Sequence, residues 1–193
     1  MLAVLRNPTY ARLFSAQIIA LLGTGLLTVA LGLLAYDIAG SDAGAVMGTV
    51  MAIKMVAYVL VSPVTTALVS RLPARRVLIG ADLVRAGVAV SLPFVTEAWQ
   101  TYVLIFLLQS ASATFTPTFQ AVIPSVLPDE REYTRALSLS RLAYDLESLV
   151  SPLLAAALLT VTAYNNLFFG TVVGFLLSAA LVTPARLPTV PAP

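Results

Sequence analysis

The sequence predicts an all-α, polytopic membrane protein with six transmembrane helices. Of its 193 residues, 59% are hydrophobic and 10% are charged, whereas an ordinary soluble domain is about 45–50% apolar and about 25% charged. The mean hydropathy of +0.94 points the same way. Six helices of about 20 residues joined by short loops would fill nearly the whole length. The composition therefore excludes a water-soluble globule and leaves no room for a separate soluble domain.

The residue types that are missing exclude most enzyme chemistry. The sequence contains no His and no Cys, so it cannot form the usual zinc sites, His- or Cys-ligated haem, Cys nucleophiles, Ser-His-Asp triads or disulfides. We expect no cofactor, no resident metal and no enzymatic activity. An intramembrane enzyme is the weakest alternative, because no nucleophile-and-base pair is visible.

Six apolar runs lie between charged or turn-forming segments. Each has about 17–26 residues, enough to cross a hydrocarbon core of about 30 Å as a helix. Helices are expected because a backbone in lipid must satisfy its own hydrogen bonds. The runs, numbered here as spans one to six, are Leu13–Tyr36, Ala45–Val69, Val77–Phe94, Tyr102–Leu127, Ala136–Thr160 and Asn166–Val182. Together they form a predicted bundle over residues 13–183, preceded by an N-terminus at residues 1–12 and followed by a Pro-rich tail at residues 184–193.

The charges of the short loops alternate between the two sides of the membrane. One side carries Asp37, Asp42 and Glu97 and no Lys or Arg. The basic loop residues all fall on the other side: Arg6, Arg12, Arg71, Arg75, Arg76, Arg131, Arg135 and Arg186. By the positive-inside rule, both termini are cytoplasmic. The basic residues thus report topology, and we expect no nucleic-acid partner.

Spans two and five share a short motif. Leu60–Pro63 and Leu149–Pro152 both read Leu-Val-Ser-Pro, and an Ala follows each Pro at the same spacing. In both spans the Pro falls in the last third of the helix. This register is expected if spans one to three and four to six are inverted repeats, an arrangement common in transporters. A chance match in so biased a composition is the alternative.

Three ionisable residues are predicted near the middle of the membrane. At 1.5 Å per residue, Lys54 lies about 13 Å below the outer face, Arg85 about 12 Å above the inner face and Glu147 about 16 Å above it. Buried charges in spans are costly and usually face a cavity or a partner. Glu147 is the candidate for proton coupling, because a carboxylate at mid-depth can bind and release one proton per cycle. Static ion pairing of Lys54 with Glu147 is the alternative.

Two further pairs can form within single helices. Asp82 and Arg85 are three residues apart on span three, and Arg141 and Asp145 are four apart on span five. Residues at these spacings are neighbours on a helix surface. Both pairs are candidates for proton coupling or, alternatively, for static ion pairs that hold helices in register.

Spans one and four each carry a polar stripe. Residues three or four apart share one helical face, and the stripes consist of Gln17, Thr24 and Thr28 on span one and of Gln109, Ser112, Thr116 and Gln120 on span four. Such stripes can line an aqueous or substrate-filled cavity. Alternatively, the hydroxyls bond back to their own helix and let helices pack closely.

Several segments resemble the major facilitator superfamily. They are the stretch from Arg6-Asn7-Pro8 to Phe14, the loop at residues 71–76 with the following 80–86, and the run from Thr116-Pro117 through Arg141-Leu142. The chain is similar to the amino-terminal six-helix half of a twelve-helix transporter. More narrowly, it resembles bacterial efflux proteins of the enterobactin-exporter type, with the nickel-resistance branch as a further alternative.

The resemblance implies a gating loop between spans two and three. Family members carry Gly-x-x-x-Asp-Arg-x-Gly-Arg-Arg there, and Arg71 and Arg75 match it, with Arg76 beside them. This sequence has Thr66 in place of the first Gly and Ser70 in place of the Asp. The acidic member of the gating contact is therefore missing.

The resemblance implies a transporter in the bacterial inner membrane. The predicted function is proton-coupled efflux of a small molecule or a metal ion. A half-length chain needs a second copy or a separate carboxy-terminal half to make a complete transporter, because the family binds its substrate between two halves. A truncated or non-transporting membrane interaction subunit is the alternative, favoured by the altered gating loop.

Overall fold

A computed structural model describes residues 2–69, 72–185 and 187. In this part of the chain the long elements are all helices: α1 Pro8–Ala39, α2 Ala43–Val56, α3 Ser62–Val69, α4 Ala74–Ser91, α5 Ala98–Val126, α6 Glu130–Leu159 and α7 Asn165–Val182. Short 3₁₀ turns occupy Leu2–Arg6, Gly40–Asp42 and Leu92–Phe94, and a π-helical turn at Ala57–Val61 joins α2 to α3. Of the Pro-rich tail, Arg186 and residues 188–193 lie outside the described residues.

The helices make six membrane crossings, as the sequence predicts. Five helical stretches are long and apolar enough to span a membrane, and the first of them, Pro8–Thr65, has 58 residues. A straight helix of that length would be about 87 Å long, far more than a hydrocarbon core of about 30 Å. The chain reverses at Gly40, whose φ of +52° is accessible to glycine at little cost. Helix α2 then packs back on α1, with Val50 in the same buried cluster as Leu27 and Leu34, so this stretch is two spans.

Side chains at the helix starts fix where three of the spans begin. Asn7 Oδ1 accepts hydrogen bonds from the backbone N–H groups of Thr9 and Tyr10, and Asn7 Nδ2 donates to the Val126 carbonyl at the end of α5. Asp129 caps α6 in the same way, and a capping box at Glu97 opens α5. Each cap satisfies N–H groups that would otherwise lack a partner.

The shared Leu-Val-Ser-Pro motif has different geometry in its two copies. In span two, the π-helical turn ends at Val61, two residues before Pro63. Proline removes one backbone donor from the ladder, and a π turn is one way of accommodating that loss. In span five, Pro152 lies inside the continuous α-helix Glu130–Leu159. The motif therefore overlaps a π-helical turn in one span and lies within a continuous α-helix in the other.

The packing of the helices follows the predicted inverted repeat. Helix α1 packs on α6 and α7, whereas α5, its counterpart in the second repeat, packs on α2–α3 and α4. Helices α4 and α7, the third members of the two repeats, pack on each other. Exchanging the two repeats thus leaves this contact pattern unchanged, which is what two-fold pseudosymmetry requires.

Glycines bring α1 and α7 into backbone contact. A Cβ placed on Gly174 would lie 3.2 Å from both the Gly23 Cα and the Ile19 carbonyl oxygen. Beside this crossing, Thr171 Oγ1 donates to the Gly23 carbonyl at 2.9 Å. Gly44 and Gly48, four residues apart on α2, have nothing within 4 Å of an added Cβ. Close packing by glycine is therefore confined to the α1 contacts.

We expect Gly174→Ala to destabilise the bundle. The added methyl group meets backbone atoms, which cannot move away as a side chain can, and overpacking of this kind costs about 1–3 kcal/mol. Gly48→Ala is the matched control, since its methyl group points into open space. Thermal unfolding of the purified variants in detergent measures the effect. Equal unfolding temperatures for the two variants would contradict close packing at the α1–α7 crossing.

At the end of the bundle that we expect to face outward, a side-chain contact joins α1 to the loop before α7. The Tyr164 hydroxyl donates a 2.7 Å hydrogen bond to Asp37 Oδ2. Burial, followed by the hydrogen bond to Asp37 and the charge of that carboxylate, raises the pKa of Tyr164 from 10.0 to about 12. The folded protein therefore holds this proton more tightly than the unfolded chain does.

This contact predicts a pH dependence of stability. Because the folded pKa of Tyr164 is the higher one, its contribution is complete below pH 10 and is lost as the pH rises towards 12. We expect wild type to unfold at a higher temperature than Tyr164→Phe at pH 8, with the difference shrinking above pH 10. A difference that stays constant across that window would show that Tyr164 titrates normally.

Candidate functional site

An ion pair is buried in the core between α4, α5 and α7. Arg85 Nη2 bonds to Asp82 Oδ1 one helical turn away. Asp82 is 0% exposed and Arg85 is 5% exposed. The Ser178 hydroxyl of α7 lies beside the Asp82 carboxylate. The pairing that the sequence suggests for these two residues is present, and both side chains are directed into the core of this half-bundle.

Two aromatic rings enclose the buried guanidinium. The Arg85 Cζ atom lies 4.4 Å from the Phe115 ring centroid on α5 and 4.5 Å from the Phe175 ring centroid on α7. Cation–π contacts shielded from water are worth about 2 kcal/mol each, which helps to offset the cost of burying the charge. Because the four side chains come from three helices, the cluster ties α4, α5 and α7 together.

Two tyrosines from other parts of the bundle lie near Arg85. They are Tyr58, in the π-helical turn, and Tyr144, on α6. Tyr58 also interacts with the Thr116 side chain on α5. Sequence reasoning missed both tyrosines, since an isolated Tyr in an apolar run gives no periodic signal. The nearest sequence signal for Tyr58 was Pro63, because a proline disturbs the helical hydrogen bonds of the turn that precedes it, and Tyr58 lies in that turn.

Glu147 occupies a different environment on α6, half-buried against α1. A Cβ added to Gly25 would overlap the Ser151 side chain and come within 2.5 Å of Glu147 Oε1. The carboxylate therefore rests where α1 has no side chain, and the Ser151 hydroxyl lies beside it. Ser151 belongs to the second copy of the shared motif, so the sequence held a signal for this contact.

Lys54 interacts with Glu147 only at a distance. The two charges are close enough to influence each other electrostatically, but in the described part of the chain the ion pairs within 4 Å are Asp82–Arg85 and Arg141–Asp145. Lys54 is exposed on α2. Within this part of the chain, Glu147 thus has a hydroxyl neighbour and no direct cationic partner.

The second ion pair lies on the surface of α6. Arg141 Nε and Asp145 Oδ1 are 3.6 Å apart, with side chains 81% and 62% exposed. Charged side chains in a membrane span are costly in contact with lipid. With Lys54 on α2, they mark faces of the bundle that suit a polar cavity or a protein partner better than hydrocarbon.

The polar stripe of span one divides between two environments. Gln17 is buried and its Oε1 accepts a 3.0 Å hydrogen bond from Ser140 Oγ on α6. Thr24 and Thr28 are half-buried and exposed, and their hydroxyls donate to carbonyls one turn back in the same helix. The structure thus brings Gln17 into the α1–α6 seam and separates it from the two threonines.

The four residues of the polar stripe on span four differ in how deeply they are buried. Ser112 is buried, Gln109 and Thr116 are half-buried and Gln120 is exposed. The Thr116 hydroxyl donates to the Ser112 carbonyl within the helix. The partly exposed amides of Gln109 and Gln120 can still contact a ligand, whereas Ser112 faces the core.

The basic loop between α3 and α4 lies at the end of the bundle that we expect to be cytoplasmic. Arg75 and Arg76 are exposed at the start of α4, and Arg76 lines a cavity of about 400 Å³ together with Thr65 and Thr114. Arg71 lies outside the described residues. Over the described residues, no group of three or more His, Cys, Asp and Glu side chains is placed to hold a metal ion.

Comparison with known proteins assigns the fold to a family. The sequence profile of the Major Facilitator Superfamily matches residues 13–193. The chain belongs to this superfamily. It is therefore a membrane protein of a transporter family, embedded in a lipid bilayer, and its half-bundle of six spans agrees with the fold of that superfamily.

Curated relatives include efflux proteins. The chain is 28% identical over 152 residues to macrolide efflux protein A of Enterococcus faecalis, covering 74% of this chain and 47% of that protein. It is 25% identical over 181 residues to macrolide efflux protein A of Streptococcus pyogenes, covering 91% and 44%. An uncharacterized MFS-type transporter of Bacillus subtilis is 25% identical over 171 residues, covering 88% and 40%. The chain thus spans less than half the length of these relatives.

We expect Asp82→Asn to destabilise the protein strongly. Removing one member of a buried pair leaves an uncompensated charge, which costs about 3–5 kcal/mol. Asp145→Asn breaks the exposed pair on α6 and should cost no more than about 1 kcal/mol. Thermal or denaturant unfolding of the two purified variants makes the comparison. Similar losses in both would mean that Arg85 finds another partner in the core.

Proposed function

We propose that this protein exports an amphiphilic organic molecule in exchange for protons. The observation that carries the proposal is Glu147, a half-buried carboxylate of predicted span five that has a hydroxyl neighbour and, among the residues that the structure describes, no direct cationic partner. Such a group can hold a proton or release it without breaking an ion pair first. Family membership and relatives named for efflux support the transport part of the proposal.

The substrate class follows from the relatives rather than from the site. Two of them are named macrolide efflux protein A, so we propose a macrolide or a compound of similar size and polarity. The resemblance to the enterobactin-exporter group, and to its nickel-resistance branch, stays a prediction from the sequence. A metal ion is the less favoured cargo, because the chain has no His and no Cys to bind it.

Asp82 and Glu147, two of the carboxylates within the predicted spans, have separate roles in this proposal. Asp82 is bound to Arg85 inside an aromatic cage, and it keeps α4, α5 and α7 together as one unit. Glu147 lies where α6 meets α1 through Gly25 and Ser151. A change in its charge therefore acts on the α1–α6 contact, while the Arg85 cluster stays intact.

We propose that a second half covers the exposed charges of α2 and α6. Lys54, Arg141 and Asp145 are exposed within predicted spans, where contact with lipid is unfavourable. A second copy of this chain or a separate carboxy-terminal half would enclose them around a polar cavity, with Thr28, Gln109 and Gln120 on its wall. The same exposed faces suit a non-transporting interaction subunit, which is the second candidate function.

The proposed location is the bacterial plasma membrane with both termini in the cytoplasm. The support is the distribution of Arg, which places Arg75, Arg76, Arg131 and Arg135 on one side and Asp42 and Glu97 on the other. Arg75 and Arg76 then lie exposed at the cytoplasmic surface, where they can contact a moving second half.

The decisive experiment is efflux of a radiolabelled macrolide from proteoliposomes under an imposed pH gradient. We expect wild type to show gradient-driven efflux and Glu147→Gln to lose the gradient-driven component, because an amide cannot carry the proton. Glu130→Gln is the matched control, since it makes the same change at an exposed position in the first turn of α6.

The outcomes separate the candidate functions. Gradient-driven efflux that survives in Glu147→Gln removes this residue from coupling. No efflux from wild type, with or without a gradient and at any protein density, favours the interaction subunit.

A further inference from the structure

An apolar groove runs along the contact between α1 and α6. Its volume is about 320 Å³, within the range of pockets that bind small organic ligands. One of the residues that line the groove, Glu147, is charged. The other lining side chains are hydrocarbon or aromatic: Phe14, Ile18, Leu21 and Leu22 from α1, and Leu139, Leu142, Ala143, Leu146 and Val150 from α6.

The groove opens on the apolar side of α6. Its α6 residues recur at spacings of three and four and so share one helical face. At 100° per residue, the polar residues Arg141, Asp145 and Ser148 project from nearly the opposite face. Leu142 and Leu146 are 46% and 49% exposed at the groove. Exposed leucines suit lipid contact, so we infer that the groove faces the membrane rather than the polar cavity.

Glu147 lies on the flank of this groove with its charge directed at α1. Gly25 leaves the space that the carboxylate and Ser151 occupy. Lys54 acts on Glu147 only from a distance, and both ion pairs of the described chain involve other residues. A carboxylate beside an apolar surface is a poor neighbour for a lipid tail or for an anion. It is a good neighbour for a cation whose charge is surrounded by hydrocarbon.

We propose that the α1–α6 groove binds an amphiphilic monocation that reaches it from the membrane, with Glu147 as the counter-charge. This proposal rests on the proposed function in taking Glu147 as the carboxylate used in transport. It adds a binding site outside the polar cavity between the halves, and it defines the ligand as one positive charge on a compact apolar body. Gly25 is the positioning residue that lets the carboxylate reach the groove.

Equilibrium binding of two ions of the same shape tests the charge requirement. Radiolabelled tetraphenylphosphonium and tetraphenylborate are measured on the purified protein in detergent, without a gradient. We expect tetraphenylphosphonium to bind saturably and tetraphenylborate to bind at least about tenfold more weakly, as a charge-assisted contact predicts. Equal binding of the two ions would overturn the proposal and identify the groove as a lipid-packing surface.

Variants locate the binding. Glu147→Gln should weaken tetraphenylphosphonium binding by about tenfold or more, whereas Glu130→Gln, on the same helix, should leave it unchanged. Leu142→Trp should also weaken binding by filling the groove while the carboxylate remains. Leu149→Trp is its control, since Leu149 lies on the same face two turns further along and outside the lining. Unchanged binding in both Glu147→Gln and Leu142→Trp would overturn the proposal.

The readout separates this site from the proposed transport function. Saturable binding that depends on Glu147, in a protein without gradient-driven efflux, keeps the groove and removes proton coupling. Gradient-driven efflux in a protein that binds neither probe keeps the transport function and overturns the groove. Thermal unfolding of each variant, run in parallel, shows whether a loss of binding reflects a loss of fold.

Discussion

The approach of α1 to its neighbours sets the geometry of the half-bundle. Without a hydrophobic driving force between helices in lipid, association depends on close packing and on polar contacts between backbones and side chains. Gly23 supplies both at the α7 crossing, through Gly174 and the Thr171 hydroxyl. Two residues after Gly23, Gly25 leaves the space that Ser151 and Glu147 of α6 occupy. One turn of one helix therefore fixes the positions of α6 and α7, and with them the candidate site.

The intramembrane charges divide into an enclosed set and an accessible set. Asp82 and Arg85 pair in the core between two aromatic rings, so changing the charge of either residue leaves the other uncompensated. Glu147 has no cationic partner among the described residues and borders a groove. The difference comes from helix position: α4 faces α5 and α7 in the core, whereas α6 touches the rest of the bundle mainly through α1.

Much of the fold follows from composition and pattern, while the site follows only in part. The six predicted spans match the helices to within a few residues at most ends, because the lipid requires each apolar run to satisfy its own backbone. The three-residue spacing of Asp82 and Arg85 predicted that they would pair. Gln17 and Ser112 illustrate what pattern alone misses, since a polar stripe reads the same whether it faces a cavity or a neighbouring helix. Both are buried here, Gln17 against Ser140.

The sequence by itself determined the membrane location, the number of spans and the superfamily, because length, hydropathy and local motifs are properties of each segment separately. Tertiary structure decided which charges have partners. Whether Glu147 meets Lys54, and whether Arg85 meets Phe115 and Phe175, depends on how helices far apart in the sequence rotate and cross. That rotation is set by glycine contacts such as Gly25 with Ser151, whose outcome cannot be calculated from either helix alone. The division of this protein into a buried charge cluster and an accessible carboxylate is therefore a property of packing.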